Sequence, residues 1–96
     1  MPTFVNKGKY ELAAVELDNC FYGETKFKNA TLIYRGVGPT FIAPDCTVEN
    51  IKLVTEGKAK EVASKIPNLE ARAEFDLFNL IIEIAEGCGF KPEDLG

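Results

Sequence analysis

The stretch LDNCFYGETKFKNATLIY, residues 17–34, has an apolar residue at every fifth position and an asparagine directly before Cys20 and Ala30. The same spacing continues on both sides, with one residue inserted between Ile42 and Val48. The apolar positions of this register are Leu12, Leu17, Tyr22, Phe27, Leu32, Val37, Ile42, Val48 and Leu53. Regular spacing of this kind predicts a chain that winds into stacked rungs and buries one side chain on each side of every rung.

The Asn or Asp before Cys or Ala, followed by an apolar residue, resembles the pattern of small bacterial right-handed β-solenoids, which include the pentapeptide-repeat and parallel β-helix families. The residues that carry the resemblance are Asn19-Cys20, Asn29-Ala30 and Asp45-Cys46-Thr47-Val48-Glu49-Asn50. It covers about residues 10–55 and implies a short right-handed parallel β-solenoid of two to three rungs. The second position of each unit, as at Glu11, Phe21 and Lys26, departs from the pentapeptide pattern and favours a looser β-helix.

An antiparallel β-meander packed on the C-terminal helix is the alternative fold. The segment CFYGETKF also fits a hairpin with Gly23 and Glu24 at its tip. The segment TLIYRGVGPTFIA fits a second hairpin that turns through residues 36–39. Local turn chemistry therefore leaves the direction of strand pairing open.

The second half of the chain predicts helices. A short helix is expected at residues 58–66, where Pro67 ends it, and a longer one from Leu69 to about Glu86. The longer helix is expected to cap the solenoid. The sequence thus predicts one α+β domain, with a β-rich part at residues 1–56 and a helical part at 57–96 that includes a C-terminal tail.

The longer helix has more apolar surface than a single cap needs. Its apolar arc spans roughly 220°, about twice that of an ordinary surface helix. This predicts a symmetric homodimer or higher oligomer. The alternatives are that the short helix and the tail FKPEDLG cover the surface, or that a different protein does. The candidate interface residues are Phe75, Leu77, Phe78, Ile81, Ile82 and Ala85.

A possible ligand loop follows the strand TLIY. Tyr34, Arg35, Gly36 and Gly38 fit a glycine-rich anion cradle, but no helix N-terminus follows them, so a turn between rungs is the favoured explanation.

Catalytic chemistry has little support in the composition. The chain has no histidine, Ser64 is its only serine, and its three cysteines have no CxxC spacing. We therefore expect no enzyme activity, catalytic residues, cofactor, metal site or disulfide framework. The acidic pairs Glu70/Glu74 and Glu83/Glu86 are expected to lie on a solvated helix face.

The net charge of −4 arises in the helical part, since residues 69–96 hold seven of the fifteen acidic side chains and two of the eleven basic ones. Beyond Lys7, Lys9, Lys26 and Lys28 there is no basic stripe, so no nucleic-acid partner is expected. Neither a membrane span nor a signal peptide is evident, which predicts a cytoplasmic protein.

These features favour a non-enzymatic module for self-association and binding of a protein partner, with an apolar helix for the first and a rigid β face for the second. One alternative is a phage or mobile-element accessory protein that inhibits a host protein. Another is a small-ligand or anion binder that uses the Arg35 loop.

Overall fold

Nine short strands precede three helices in the computed structural model, which describes residues 3–91 and 93. The strands are β1 (Thr3–Asn6), β2 (Lys9–Glu11), β3 (Ala14–Glu16), β4 (Cys20–Gly23), β5 (Lys26–Lys28), β6 (Thr31–Tyr34), β7 (Thr40–Ile42), β8 (Thr47–Glu49) and β9 (Lys52–Thr55). The helices are α1 (Gly57–Ala63), α2 (Leu69–Phe75) and α3 (Leu77–Gly87).

Each of the strands β1 to β6 pairs with the third strand after it, and always in parallel. The three sheets have the orders β1-β4-β7, β2-β5-β8 and β3-β6-β9. The chain therefore makes three rounds of three strands each, an arrangement consistent with a short parallel β-solenoid. We call these three rounds the coil. The antiparallel meander is wrong for this chain, because hairpins would pair consecutive strands in opposite directions.

Three inner columns fill the coil. The central residue of each side stacks on its equivalents in the next rounds, with inner side chains five or six residues apart within a round. The columns are Val5-Tyr22-Ile42, Tyr10-Phe27-Val48 and Val15-Leu32-Leu53. Inward and outward side chains alternate along each strand, as the pleat requires.

The five-residue register is wrong at two of its nine positions. Leu12 is 79% exposed and Val37 is 69% exposed. The spacing of five holds inside a round, but the offset between paired residues is 17 from the first round to the second and 20 or 21 from the second to the third. The longer connection after β3 shifts the register by two residues, from Val15 to Tyr22, and the connection after β6 adds a full unit whose residue, Val37, lies outside the strands.

The asparagines of the repeat pattern lie at corners of the coil. Asn19, Asn29 and Asn50 all have left-handed backbone, with φ between 50° and 60°. Asparagine tolerates this conformation better than other residues with a side chain. Asn50 Nδ2 also donates a hydrogen bond to Asn29 Oδ1 at 2.6 Å, which links one corner of the second and third rounds.

The longer helix predicted from Leu69 to Glu86 is wrong as a single element. It breaks at Asp76, whose φ of −140° and ψ of 36° interrupt the helical path between α2 and α3. The break leaves Phe75 77% exposed and buries Leu77 to 2%. α2 has no buried residue, whereas α3 has five, so the bend separates an exposed segment from the one that packs into the core. The short helix also ends earlier than predicted, at Ala63.

The helices close one end of the coil. α3 packs against β7, the outermost strand of its sheet, and also contacts α1 and α2. Its residues Leu80, Ile81 and Ile84 join the inner columns in one continuous apolar core. No described helix packs against the first round at the opposite end.

Candidate functional site

A row of phenylalanines lies on the outer face of the sheet β1-β4-β7. Phe4, Phe21 and Phe41 are paired by the strand register, one from each round. Their ring centroids are 5.7 Å apart from Phe4 to Phe21 and 5.4 Å apart from Phe21 to Phe41. Phe4 is 60% exposed and the other two are half-buried. We call this row the aromatic ladder.

Strand alternation places the aromatic ladder outside. The neighbours Tyr22 and Ile42 are buried in the coil, so the residues before them must face outwards. Aromatic rings in contact across strands stabilise a sheet. A contiguous apolar strip that stays on a surface is also typical of a protein interaction site.

The neighbouring sheet β2-β5-β8 has a charged outer face instead. One row pairs Lys9 with Lys26, and the next pairs Glu11, Lys28 and Glu49. Basic and acidic side chains therefore alternate in the second row, whereas two lysines are neighbours in the first. Three of the four lysines considered in the sequence lie together here, mixed with carboxylates.

The possible ligand loop already holds an anionic group of the protein itself. The backbone N–H of Arg35 donates to Asp18 Oδ2 and that of Val37 donates to Asp18 Oδ1, both at 2.9 Å. Tyr34 is buried, and its hydroxyl donates to the carbonyl oxygen of Gly38 at 2.7 Å. Burial raises the pKa of this hydroxyl. The amides that would cradle an external anion are thus engaged by the Asp18 carboxylate.

The other residues of this loop are also committed. The Arg35 guanidinium pairs with the carboxylates of Glu16 and Glu56. Gly36 has a φ of +76°, and a Cβ there would come within 2.7 Å of Cys88 Sγ. A Cβ on Gly38 would collide with the Asn19 side chain. Both glycines are therefore required by close packing, which is the simpler of the two explanations for the glycine-rich sequence.

The six predicted interface residues divide into two groups. Leu77, Ile81 and Ala85 are buried to 1–2% by their own chain. Phe75 is exposed, and Phe78 and Ile82 are half-buried. Self-association through the C-terminal helix stays a prediction, and the surface available for it consists of this second group.

A shallow groove lies between β9 and α2, at the part of the coil end that α3 does not cover. Its volume is about 270 Å³, just below the ~300–1,000 Å³ typical of small-molecule sites. Ile51, Leu53, Leu69 and Ala73 supply apolar walls. Glu70 and Glu74, expected on a solvated face, line the same groove.

The cysteines do not form an activated thiol site. All three are free, and burial raises the pKa values of Cys46 and Cys88. Cys46 Sγ donates to the carbonyl oxygen of Tyr22 at 3.2 Å and accepts from the N–H of Thr25 at 3.4 Å. Among residues 3–91 and 93, no three Cys, Asp or Glu side chains are grouped so that they could hold a metal ion.

Comparison with known proteins gives no relative: no family model, curated protein sequence or solved structure matches this chain. In the part of the chain that the structure describes, no helix has both the length and the apolar character needed to cross a bilayer. Function must therefore be argued from the surfaces described above.

The aromatic ladder is the surface that sequence reasoning missed. Phe4, Phe21 and Phe41 are 17 and 20 residues apart, which matches the length of a round. The signal was present, but a five-residue register assigns Phe21 and Phe41 to a column with lysines and threonines. Only the true round length places the three rings together.

Proposed function

We propose that this protein is a non-enzymatic interaction module that associates with itself and binds a protein partner through a rigid β face. The observation that supports this proposal best is the aromatic ladder, because three rings in contact form a continuous apolar strip outside the core. Aromatic residues are enriched at protein interfaces and often contribute most of the binding energy.

The coil is well suited to present such a strip. In our proposal it is a right-handed β-solenoid, the hand that parallel β crossovers adopt almost without exception. Each ring of the aromatic ladder is carried by a strand that is hydrogen-bonded to another round, so its backbone is already ordered. Binding to an ordered surface loses less conformational entropy than binding to a loop.

The exposed part of the C-terminal helices is a second surface for self-association. Phe75 at the α2–α3 break is one of the largest exposed apolar side chains, and Phe78 and Ile82 follow it on α3. Their apolar area is smaller than the sequence suggested, since half of the predicted set is used in the core. We therefore assign the larger role to the aromatic ladder.

The test compares wild-type protein with Phe21→Ser and Phe41→Ser. Sedimentation velocity at micromolar concentration measures self-association, and quantitative capture from a lysate of the native host measures partner binding. We expect the substitutions on the aromatic ladder to reduce one or both, while the circular dichroism of the coil is retained. Phe75→Ser removes a ring of the same size from the helical surface and so compares the two surfaces, and Val37→Ser, at a 69% exposed side chain that belongs to neither, is the control.

The proposal fails if the wild-type protein is monomeric by sedimentation velocity and also captures no host protein that the Phe21→Ser variant fails to capture. If instead Phe75→Ser alone abolishes association, the interaction function stands and its main surface is the helical one.

A further inference from the structure

The first round leaves one edge of every sheet unpaired. β1, β2 and β3 are the outermost strands of their sheets, and no described strand or helix lies beyond them. Open edges of this kind are templates for pairing with another chain, and proteins usually cover or distort them. The described part of the first round has no proline or covering element, and its exposed charged side chains are of both signs, as at Lys9 and Glu11, so they can pair with those of a second copy. We call this surface the first-round edge.

The hydrogen bonds to the second round show which backbone groups face this edge. The N–H of Thr3 donates to the carbonyl oxygen of Asn19, just before β4, and the N–H of Lys7 donates to that of Gly23 in β4. The N–H of Leu12 donates to the carbonyl oxygen of Lys28 in β5. Alternate residues of a strand point their backbone groups to opposite sides. The residues whose N–H and C=O groups face outwards at the first-round edge are therefore Phe4, Asn6, Lys9, Glu11, Ala14 and Glu16.

These six positions are symmetric about Tyr10. A two-fold axis through Tyr10 places each residue opposite a residue of a second copy, and the two residue numbers of every such pair add up to 20. This pairs Phe4 with Glu16, Asn6 with Ala14, and Lys9 with Glu11 of a second copy. Every residue of the set thus meets another member of the set. In an antiparallel ladder, residues that face each other in this way exchange two backbone hydrogen bonds.

The side chains agree with the same register. Lys9 and Glu11 are both exposed on the outer face, so the two-fold axis forms two Lys–Glu cross-strand pairs. Tyr10 is half-buried and stacks on Phe27 at a centroid distance of 5.6 Å and an interplanar angle of 11°. Its remaining face would lie against Tyr10 of the second copy. Val5 and Val15, the other inner residues of the round, would likewise pair with each other.

We propose that two copies of this chain associate through the first-round edge, by antiparallel pairing about a two-fold axis at Tyr10. This inference rests on the proposed interaction function and names a second copy of the chain as the occupant of that edge. The contact is isologous, so it closes at a dimer. It also continues the inner columns from one coil into the next, which removes the open end of both.

Charge exchange at β2 tests the register. Lys9→Glu places two carboxylates opposite each other in the dimer, and Glu11→Lys places two ammonium groups opposite each other. We expect each variant to dimerise at least about tenfold more weakly by sedimentation equilibrium. A mixture of the two variants restores both Lys–Glu pairs and should form heterodimers. The double variant K9E/E11K should recover the wild-type affinity for the same reason.

Two further variants separate backbone pairing from charge. Glu11→Pro removes an N–H that faces the first-round edge and makes no bond inside the coil, so the fold should persist while the dimer is lost. Glu49→Lys is the matched control: it makes the same charge change on the same outer face, two rounds away from the edge. This control should dimerise like the wild type.

A wild-type protein that is monomeric at micromolar concentration would overturn the inference, as would a dimer that tolerates both Glu11→Pro and Lys9→Glu. Phe41→Ser distinguishes failure of the first-round pairing from failure of the interaction function, because it changes the aromatic ladder two rounds away from the edge. A dimer sensitive only to Phe41→Ser overturns the first-round pairing and leaves the interaction function standing. A dimer sensitive only to the β2 variants supports the pairing and removes the aromatic ladder from self-association.

Discussion

The two ends of the coil have similar rounds but are completed differently. At the third round, α3 covers β7, and Leu80, Ile81 and Ile84 are buried to 0–1%. At the first round no described helix covers the strands, and Tyr10 remains half-buried. A parallel coil always ends in unpaired strands and a cut through its apolar interior. This chain covers one such end itself, and the other is where we expect a second copy.

The first prediction compares a leucine at each end. Leu80→Ala removes a fully buried side chain from the cap and should lower the free energy of unfolding by about 3 kcal/mol, the usual cost of a buried leucine truncation. Leu12→Ala, at the open end, is the matched control. Because Leu12 is 79% exposed, its truncation should change the free energy of unfolding by less than about 0.5 kcal/mol. Urea denaturation measures both, and equal losses would contradict the comparison.

The second prediction concerns the junction between coil and cap. Gly36→Ala adds a Cβ that would come within 2.7 Å of Cys88 Sγ and 2.8 Å of the backbone nitrogen of Ala59, at a φ of +76°. Strain and overlap together should cost about 2 kcal/mol or more. Gly89→Ala is the control, because its φ is +94° and no atom lies within 4 Å of the added Cβ. Only the backbone strain, about 1 kcal/mol, is expected there. Thermal unfolding of both variants would show whether the overlap matters.

The third prediction is a gain of stability at the open end. Leu12 has a φ of 55° and occupies the corner position that Asn29 and Asn50 hold in the next two rounds. Leu12→Asn should stabilise the protein by about 0.5–1 kcal/mol, because asparagine adopts the left-handed backbone at lower cost. Leu12→Gln removes the exposed apolar surface without this backbone preference and serves as the control. An equal gain from both variants would attribute the effect to polarity alone.

The coil was the more predictable half of the fold. The apolar spacing favoured parallel winding over the antiparallel meander and identified most inner residues, since that spacing is a local property of each round. The aromatic ladder depends on the distance between rounds, which the connections after β3 and β6 determine. Each connection contains an apolar residue that fits the five-residue spacing, Leu17 and Val37, so the sequence pattern did not reveal where one round ends and the next begins.

The candidate sites were less predictable than the fold. Nothing near Arg35 in the sequence indicates that Asp18 occupies the loop amides, because the two are brought together only by the stacking of rounds. The break at Asp76 also lies inside a pattern that favours continuous helix. The break separates α2, which has no buried residue, from α3, which has five, and this division depends on packing against the coil, which the local pattern does not contain.

The smallest expected effect concerns the junction of α2 and α3 at the capped end. Asp76 Oδ1 accepts a hydrogen bond from Asn79 at 2.9 Å, and its Oδ2 pairs with Arg72 at 3.0 Å. These partners, Asn79 first, lower the pKa of Asp76 below its ordinary value of 3.8. Since the folded-state pKa is the lower one, the stabilisation is present above pH 3.8 and is lost as the pH falls through the folded-state pKa.

Asp76→Asn should therefore lower the melting temperature slightly at pH 7, and the difference from wild type should shrink in acid as the wild-type carboxyl is protonated. Thermal unfolding followed by circular dichroism, at pH 7 and in acid below the folded-state pKa of Asp76, measures this difference. Glu86→Gln removes an exposed carboxylate from α3 without touching the break, and should show no such pH-dependent difference. If Asp76→Asn instead had the same effect at every pH, the geometry of the break, rather than the charge of Asp76, would determine how α3 is held against the third round.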